Sequence, residues 1–339
     1  MAIIETKGLS KSYESPLKES GVRGAIKHLF KPEYKNIVAV TDVNLSIDAG
    51  ESVAYVGPNG AGKSTTIKML TGILLPSGGE LSVNGLHPYK ERMRSSKNIG
   101  VIFGQRTQLW WDIPVIESFT LLRDIYEVPE KIYKDNLAYF TEMLGLGEIL
   151  NQSARRLSLG QRMRADLAVA LMHNPAIAFL DEPTIGLDVA VKERIREFLK
   201  QVNRERGVTI MLTSHDLGDI EDVCRRFIII DTGKIIYDGS IQGLLDKYIK
   251  ERRIRLTASA KIDEAKVARD MPAGVSVAKS NDREITIIFD RFKYTARSVL
   301  EIIMKTIDVV DFQLEEPDIE RVVKNVYEGR LELSDENQN

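Results

Sequence analysis

A chain of 339 residues has room for two domains, and 43% hydrophobic against 28% charged residues suffices for a core, which sets aside a disordered or low-complexity protein. A formal net charge of −2 argues against nucleic-acid binding through overall charge, and a single cysteine, Cys224, excludes an internal disulfide and fits a reducing compartment. The scattered His28, His87, His173 and His215 have no cysteine partners for structural zinc, no secretory leader is visible, and no apolar run approaches the roughly 20 residues of a membrane helix.

Residues 3 to 9 read as a short edge strand. Residues 15 to 37 then break the rhythm: Pro16, Gly21, Gly24 and Pro32 punctuate a basic stretch in which Val22, Ala25, Ile26, Leu29 and Phe30 fit one face of a short helix. Two readings stay open for it, a basic amphipathic helix for a partner or membrane headgroups, and a solvated surface insertion. Strands at 38–40 and 43–47 lead into an alternating strand at 51–56, then Gly57-Pro58-Asn59-Gly60-Ala61-Gly62-Lys63-Ser64-Thr65, then a helix. Strands follow at 80–85 and 99–103, helical periodicity from Glu117 to about Leu150 and again over 160–173, and an apolar strand at 176–180 ending in Asp181-Glu182. A helix at 191–206, a strand at 209–212, a helix start at 217–224 and a strand at 227–230 complete an alternation that implies a mainly parallel sheet covered on both faces. Past about Leu245 a separate set appears: strand 252–257, helix 262–269, strands 275–279 and 284–289, helix 294–305, strand 308–314 and helix 317–328, a small α+β domain.

The stretch 57–65 fits G-x-x-x-x-G-K-[ST] between a strand and a helix, the setting that makes the motif specific. Its glycines let successive N–H groups curl around a β-phosphate at the positive end of the helix, Lys63 reaches the β- and γ-phosphates, and the Ser64 hydroxyl suits Mg²⁺. Asp181, ending a buried strand, suits the same cation, and Glu182 suits a base that polarises the attacking water.

Between these motifs lies Leu157-Ser158-Leu159-Gly160-Gln161, and with it the chain resembles the ATP-binding cassette (ABC) ATPases over roughly residues 3 to 240. The resemblance implies an α/β fold, a P-loop ABC ATPase domain with a mixed sheet core and a helical subdomain, followed by the small C-terminal α+β domain. The expected boundaries are 1–245 for the ATPase domain, about 106–175 for its helical subdomain, 246–330 for an accessory or dimerisation domain, and 331–339 for a polar tail. ATP and Mg²⁺ are the implied cofactors. Residues 157–161 resemble the family motif L-S-G-G-Q with Leu159 in place of the middle glycine, so Ser158, Leu159, Gly160 and Gln161 would offer a helix N-terminus to the γ-phosphate held by a second copy. By the same resemblance Tyr13 stacks on adenine, Gln105 touches Mg²⁺ or the attacking water, Asp188 bridges the dimer, and His215 hydrogen-bonds the γ-phosphate. The catalytic set is then Glu182, His215, Lys63 and Gln105, and the metal set Ser64, Gln105 and Asp181.

One P-loop and a short span between the two motifs set aside the chromosome-organising and paired-cassette members of the family. What remains is the separate ATPase subunit of a transporter on the cytoplasmic face of a membrane, held there by one or two kinds of permease chain, without nucleic acid. Phe103 to Pro114 and the basic insertion look like a bacterial exporter subgroup related to daunorubicin-type and viologen-type ATPases. Trp110 and Trp111 suit either a docking groove or the core of the helical subdomain. Two other readings stand beside export: a soluble regulatory ATPase, and import. The region 246–330 shows no catalytic constellation and reads as an interaction or ligand-sensing domain.

Overall fold

The structure is a computed structural model and describes residues 2–16, 34–104, 106–248, 251–279 and 281–315. The expected helix inside the basic insertion, Gln105, the expected helix at 317–328 and the polar tail lie outside the described residues. The chain divides into two compact units, Met1–Ser240 and Ile241–Asn339.

The first unit runs β1 (Ala2–Pro16), β2 (Tyr34–Asp48), β3 (Ser52–Val56), α1 (Lys63–Leu70), β4 (Gly78–Val83), α2 (Arg92–Ser96) and β5 (Ile99–Phe103). It continues through α3 (Val115–Ile125), α4 (Glu130–Leu144), a 3-10 turn at Ala154–Arg156 and α5 (Leu159–Leu171). It closes with β6 (Ile177–Asp181), α6 (Val189–Arg206), β7 (Thr209–Thr213), α7 (Leu217–Val223), β8 (Arg226–Asp231) and β9 (Lys234–Ser240). The strands form two sheets. An antiparallel sheet has the order β2-β1-β4, and a six-stranded sheet the order β5-β6-β7-β3-β8-β9, parallel except for β9. Every residue of β3, β6 and β7 is buried, as near-continuous apolar runs require when both faces of a parallel sheet are covered. These three strands are neighbours, so their carboxyl ends open side by side, where ligands of such sheets bind.

The helical periodicity expected over 117–150 is carried by two helices, α3 and α4. The chain turns where Glu127 takes φ 56 and Pro129 caps α4, because a left-handed residue and a missing N–H both end helical bonding. Gly145, at φ 61, closes α4, and its carbonyl and that of Leu144 accept from Arg164 Nη1 at 3.0 and 2.6 Å. On the amino side of β6, Arg206 at the end of α6 donates to Asn136 Oδ1 at 2.7 Å and to Asn174 Oδ1 at 3.2 Å, and lies 4.3 Å over the Tyr139 ring. That network ties α4, α6 and the loop before β6 together.

In the second unit, α8 (Ile241–Tyr248) is followed by β10 (Glu251–Ala258), α9 (Glu264–Asp270), β11 (Ser276–Lys279), β12 (Glu284–Asp290), α10 (Ala296–Thr306) and β13 (Val309–Glu315). This β-α-β-β-α-β order folds into an antiparallel sheet ordered β11-β12-β10-β13. Alternate residues Ile254, Leu256, Ile285, Ile287 and Phe289 are buried together with Val267, Val299 and Ile303 of the two helices, a core of its own.

Candidate nucleotide site

The loop after β3 makes a tight approach to the sheet. A Cβ on Gly57 would stand 2.2 Å from the Ile230 carbonyl oxygen, and one on Gly62, at φ 108, 2.6 Å from that of Ala39. Only glycine fits both places. The loop delivers its chain into the first turn of α1, whose leading N–H groups have no intrahelical partners and carry the positive end of the helix dipole. Lys63 is buried and folds back over the loop, donating from Nζ to the carbonyls of Gly57 at 2.6 Å and Pro58 at 3.2 Å. Burial pulls its pKa down, while Glu182 and Asp181 pull it back up.

From the neighbouring strands come the acids. Asp181 ends β6, and its two oxygens are separately held: Oδ2 accepts from Ser64 Oγ at 2.9 Å and Oδ1 from Thr213 Oγ1 at 2.7 Å. Glu182 follows at φ 57, a left-handed conformation uncommon for a non-glycine residue, fixed by its N–H donating to the Thr213 carbonyl at 3.1 Å and hydroxyl at 3.0 Å. Its Oε2 accepts from the His215 N–H at 3.3 Å; Oε1 is buried, makes no hydrogen bond and lies 3.1 Å from His215 Nε2. Burial raises the Glu182 pKa against the lowering pull of His215 and Lys63, the direction that favours a proton acceptor at neutral pH.

A cavity of about 250 Å³ brings these groups together: Asn59, Gly60, Gly62, Lys63, Ser64 and Thr65 from the loop, Asp181 and Glu182 after β6, His215 after β7, and Ala39. Amides and an ammonium on one wall and carboxylates on the other suit a polyphosphate with a hard cation. The Ser64 hydroxyl and Asp181 carboxylate are the oxygen donors Mg²⁺ prefers. Among the described residues no cluster of three or more His, Cys, Asp or Glu side chains could hold a metal, so a cation here would complete its shell from phosphate and water.

Other expected residues lie outside that lining. Tyr13 is 39% exposed on β1, with Lys11 Nζ 5.3 Å from its ring. Ser158 caps α5: its Oγ accepts from Gln161 N–H at 3.2 Å, and Gln161 Oε1 accepts from Ser158 N–H at 2.9 Å. Leu159 is 36% exposed, with Cδ2 3.3 Å from where a Gly186 Cβ would sit. A Cβ on Gly160 would touch Val191, and Asp188 caps α6 by accepting from Val191 N–H at 2.9 Å.

Two groups that the motifs do not flag organise the site. Thr213 holds both acids. Asp219, 1% exposed, accepts from Thr184 and from Ser214 Oγ at 3.2 Å, and so ties the loop after β6 to the loop carrying His215. The visible signal was a run of polar residues, Thr213 to Asp216 and Asp219, directly after an apolar strand.

Comparison with known proteins gives the same direction. Residues 40–185 match the family described as ABC transporter. The linearmycin resistance ATP-binding protein LnrL of Bacillus subtilis (strain 168) is 30% identical over 87% of this chain and 96% of its own. The methionine import ATP-binding protein MetN 2 of Enterococcus faecalis (strain ATCC 700802 / V583) is 30% identical over 71% of this chain and 72% of its own. Among solved structures, the dimeric post-hydrolysis state of the ATP-binding cassette MJ0796 bound to ADP and Pi superposes with a TM-score of 0.58 at 26% identity, over 70% of this chain and 98% of that one.

Proposed function

The chain belongs to the ABC transporter family as an ATP-binding subunit with ATPase activity, and on that premise we propose that it is the engine of a bacterial exporter, closing as a pair of copies on ATP and Mg²⁺. The observation that carries the site assignment is the delivery of Lys63 and Ser64, Asp181 and Glu182, and His215 into one cavity from three adjacent strand ends.

In this reading the loop amides and Lys63 bind and orient the phosphates, and Tyr13 stacks on the adenine. Ser64 and Asp181, with Gln105 as the sequence resemblance implies, would hold Mg²⁺, which would screen the phosphate charge. Glu182, whose Oε1 is uncovered as the half-exposed His215 swings away, takes a proton from water as the water oxygen attacks the γ-phosphorus and the bond to ADP breaks. His215, 51% exposed, turns toward the γ-phosphate. The helix tip at Ser158 to Gln161, with Asp188, serves the site of the second copy; in the cap Ser158 Oγ only accepts, which leaves its O–H to donate.

Export is favoured by the span shared with LnrL, a resistance protein, over nearly the whole of both chains, although MetN 2 is an importer. No helix among the described residues is long and apolar enough to cross a membrane, so membrane attachment runs through permease chains of one or two kinds, docking near the half-exposed Trp110 and Trp111. Residues 246–330 act as an accessory or dimerisation domain.

Glu182→Gln is expected to keep ATP binding, accumulate as a nucleotide-bound dimer, and lose about 10²- to 10⁴-fold in turnover. Turnover at the wild-type rate rules out Glu182 as the base. Affinity purification from gently solubilised membranes is expected to recover polytopic proteins with the chain; recovery with cytosolic partners alone overturns the transport assignment.

A further inference from the structure

Three polar residues recur at four-residue spacing along α5: Ser158 at its tip, then Arg162, then Asp166. Such spacing puts them on one face of the helix. Asp166 sits among Ala165, Leu167, Ala168 and Val169, only 3% exposed, which is an expensive place for a carboxylate. All its side-chain hydrogen bonds go to one segment. Oδ1 accepts from Thr107 Oγ1 at 2.9 Å and from the Gln108 N–H at 2.8 Å. One helical turn nearer the tip, the Arg162 guanidinium lies 4.6 Å over the Trp111 ring. The gripped segment is short and has other anchors: Gln108 Nε2 donates to the Val101 carbonyl on β5 at 2.7 Å, the Trp110 N–H to Ser118 Oγ at 3.1 Å, and the Arg155 N–H to the Trp111 carbonyl at 3.0 Å. Its outer surface is the exposed pair Trp110 and Trp111.

We propose that Asp166 is a positioning residue that clamps residues 107–111 to α5, so that the Ser158 tip and the Trp110–Trp111 surface move as one body. The clamp rests on the reading that the tip of α5 engages ATP held by a second copy. Arg162 adds a second point of hold by stacking, and the two holds stand one turn apart, which resists rotation of the loop about either. Both hydrogen bonds end on a single oxygen, so Asn at this position can accept them and Ala cannot.

The test uses the full chain with Glu182→Gln, so that ATP stays bound. Trp110 and Trp111 are its only two tryptophans, and their emission reports the loop without a label. ATP with Mg²⁺ is expected to shift that emission. Adding Asp166→Ala is expected to leave ATP affinity within about twofold while removing more than about half of the emission change, and Asp166→Asn to retain it. Thr107→Val, which deletes the donor to Asp166 and the acceptor of the Leu109 N–H without touching α5, is expected to weaken the change and serves if Asp166→Ala fails to fold. A full emission change in Asp166→Ala or Thr107→Val overturns the clamp, as does equal loss in the Asn and Ala variants or no change in the parent. Failure of Glu182→Gln itself to bind ATP overturns the reading of the site, and the clamp with it.

Discussion

Two ionisable side chains, the buried Asp166 within α5 and the half-buried His173 just after it, pull stability in opposite directions with pH. Burial pushes Asp166 up to about 6, against the lowering effect of its hydrogen bonds with Gln108 and Thr107 and the charge of Arg162. Burial pushes His173 down to about 4; its ring stacks on Tyr126 at 4.0 Å and its Nε2 meets the Ile99 carbonyl at 3.1 Å. For Asp166 the folded pKa is raised, so its contribution is full below the unfolded value and is lost as pH rises through 6. For His173 the folded pKa is depressed, so its contribution is full above the unfolded value near 6.5 and is lost as pH falls toward 4. Each is at most about 3 kcal/mol, and between pH 7 and 5 they offset one another. Asp166→Asn is therefore expected to make the urea midpoint fall more steeply from pH 7 to pH 5 than in wild type, and His173→Phe less steeply. Identical pH slopes in all three proteins would show that neither group titrates as described.

At the scale of elements, the glycines of the phosphate loop differ in what they permit. Gly57 faces the Ile230 carbonyl at 2.2 Å for an added Cβ, whereas Gly60, at φ 86, has nothing within 4 Å. Gly57→Ala must move the loop and is expected to weaken ATP binding by about tenfold or more, with about 1–3 kcal/mol of lost stability. Gly60→Ala carries only backbone strain of about 1–2 kcal/mol. Calorimetric melting and equilibrium ATP binding distinguish the two. The same elements show what the sequence discloses. Residues 57–65 and 177–182 were legible because their chemistry is linear, a loop or strand end with fixed spacing. All six elements from β10 to β13 were legible too, since β10 and β12 alternate between buried and more exposed residues and α10 buries Val299 and Ile303 four positions apart. The strand β9 was missed because its seven residues pair on one edge only and stay half-exposed, without an apolar run to mark them. Asp166 was missed for the opposite reason: a lone acid in an apolar helix looks like a surface residue until its partners 58 and 59 positions away are known.

For the whole molecule, the division at Ser240 leaves each part with a separate hydrophobic cluster, one around Val53, Tyr55, Phe179 and Ile228, the other around Ile254, Ile287 and Phe289. A chain cut after Ser240 is expected to fold and to bind ATP within about twofold of the full protein. An aggregated or non-binding product would mean that residues beyond 240 complete the first core. The lining of the candidate nucleotide cavity includes none of Ser158 to Gln161 and not Asp188, so the proposed function requires a second copy to complete the site.

The central sheet keeps its chemistry and its anchorage at opposite ends of the same strands. Lys63, Asp181, Glu182 and His215 gather where β3, β6 and β7 finish, while Arg206, Asn136 and Asn174 knot the chain on the amino side of β6. An inheritable change therefore meets a different filter according to which end it strikes. Near 174 and 206 it alters how much protein survives; near 181 and 215 it alters what each surviving molecule does. A lineage can drift in robustness at one pole without touching its chemistry at the other, which leaves such a subunit free to adapt to a new temperature while its ATPase activity stays as it was.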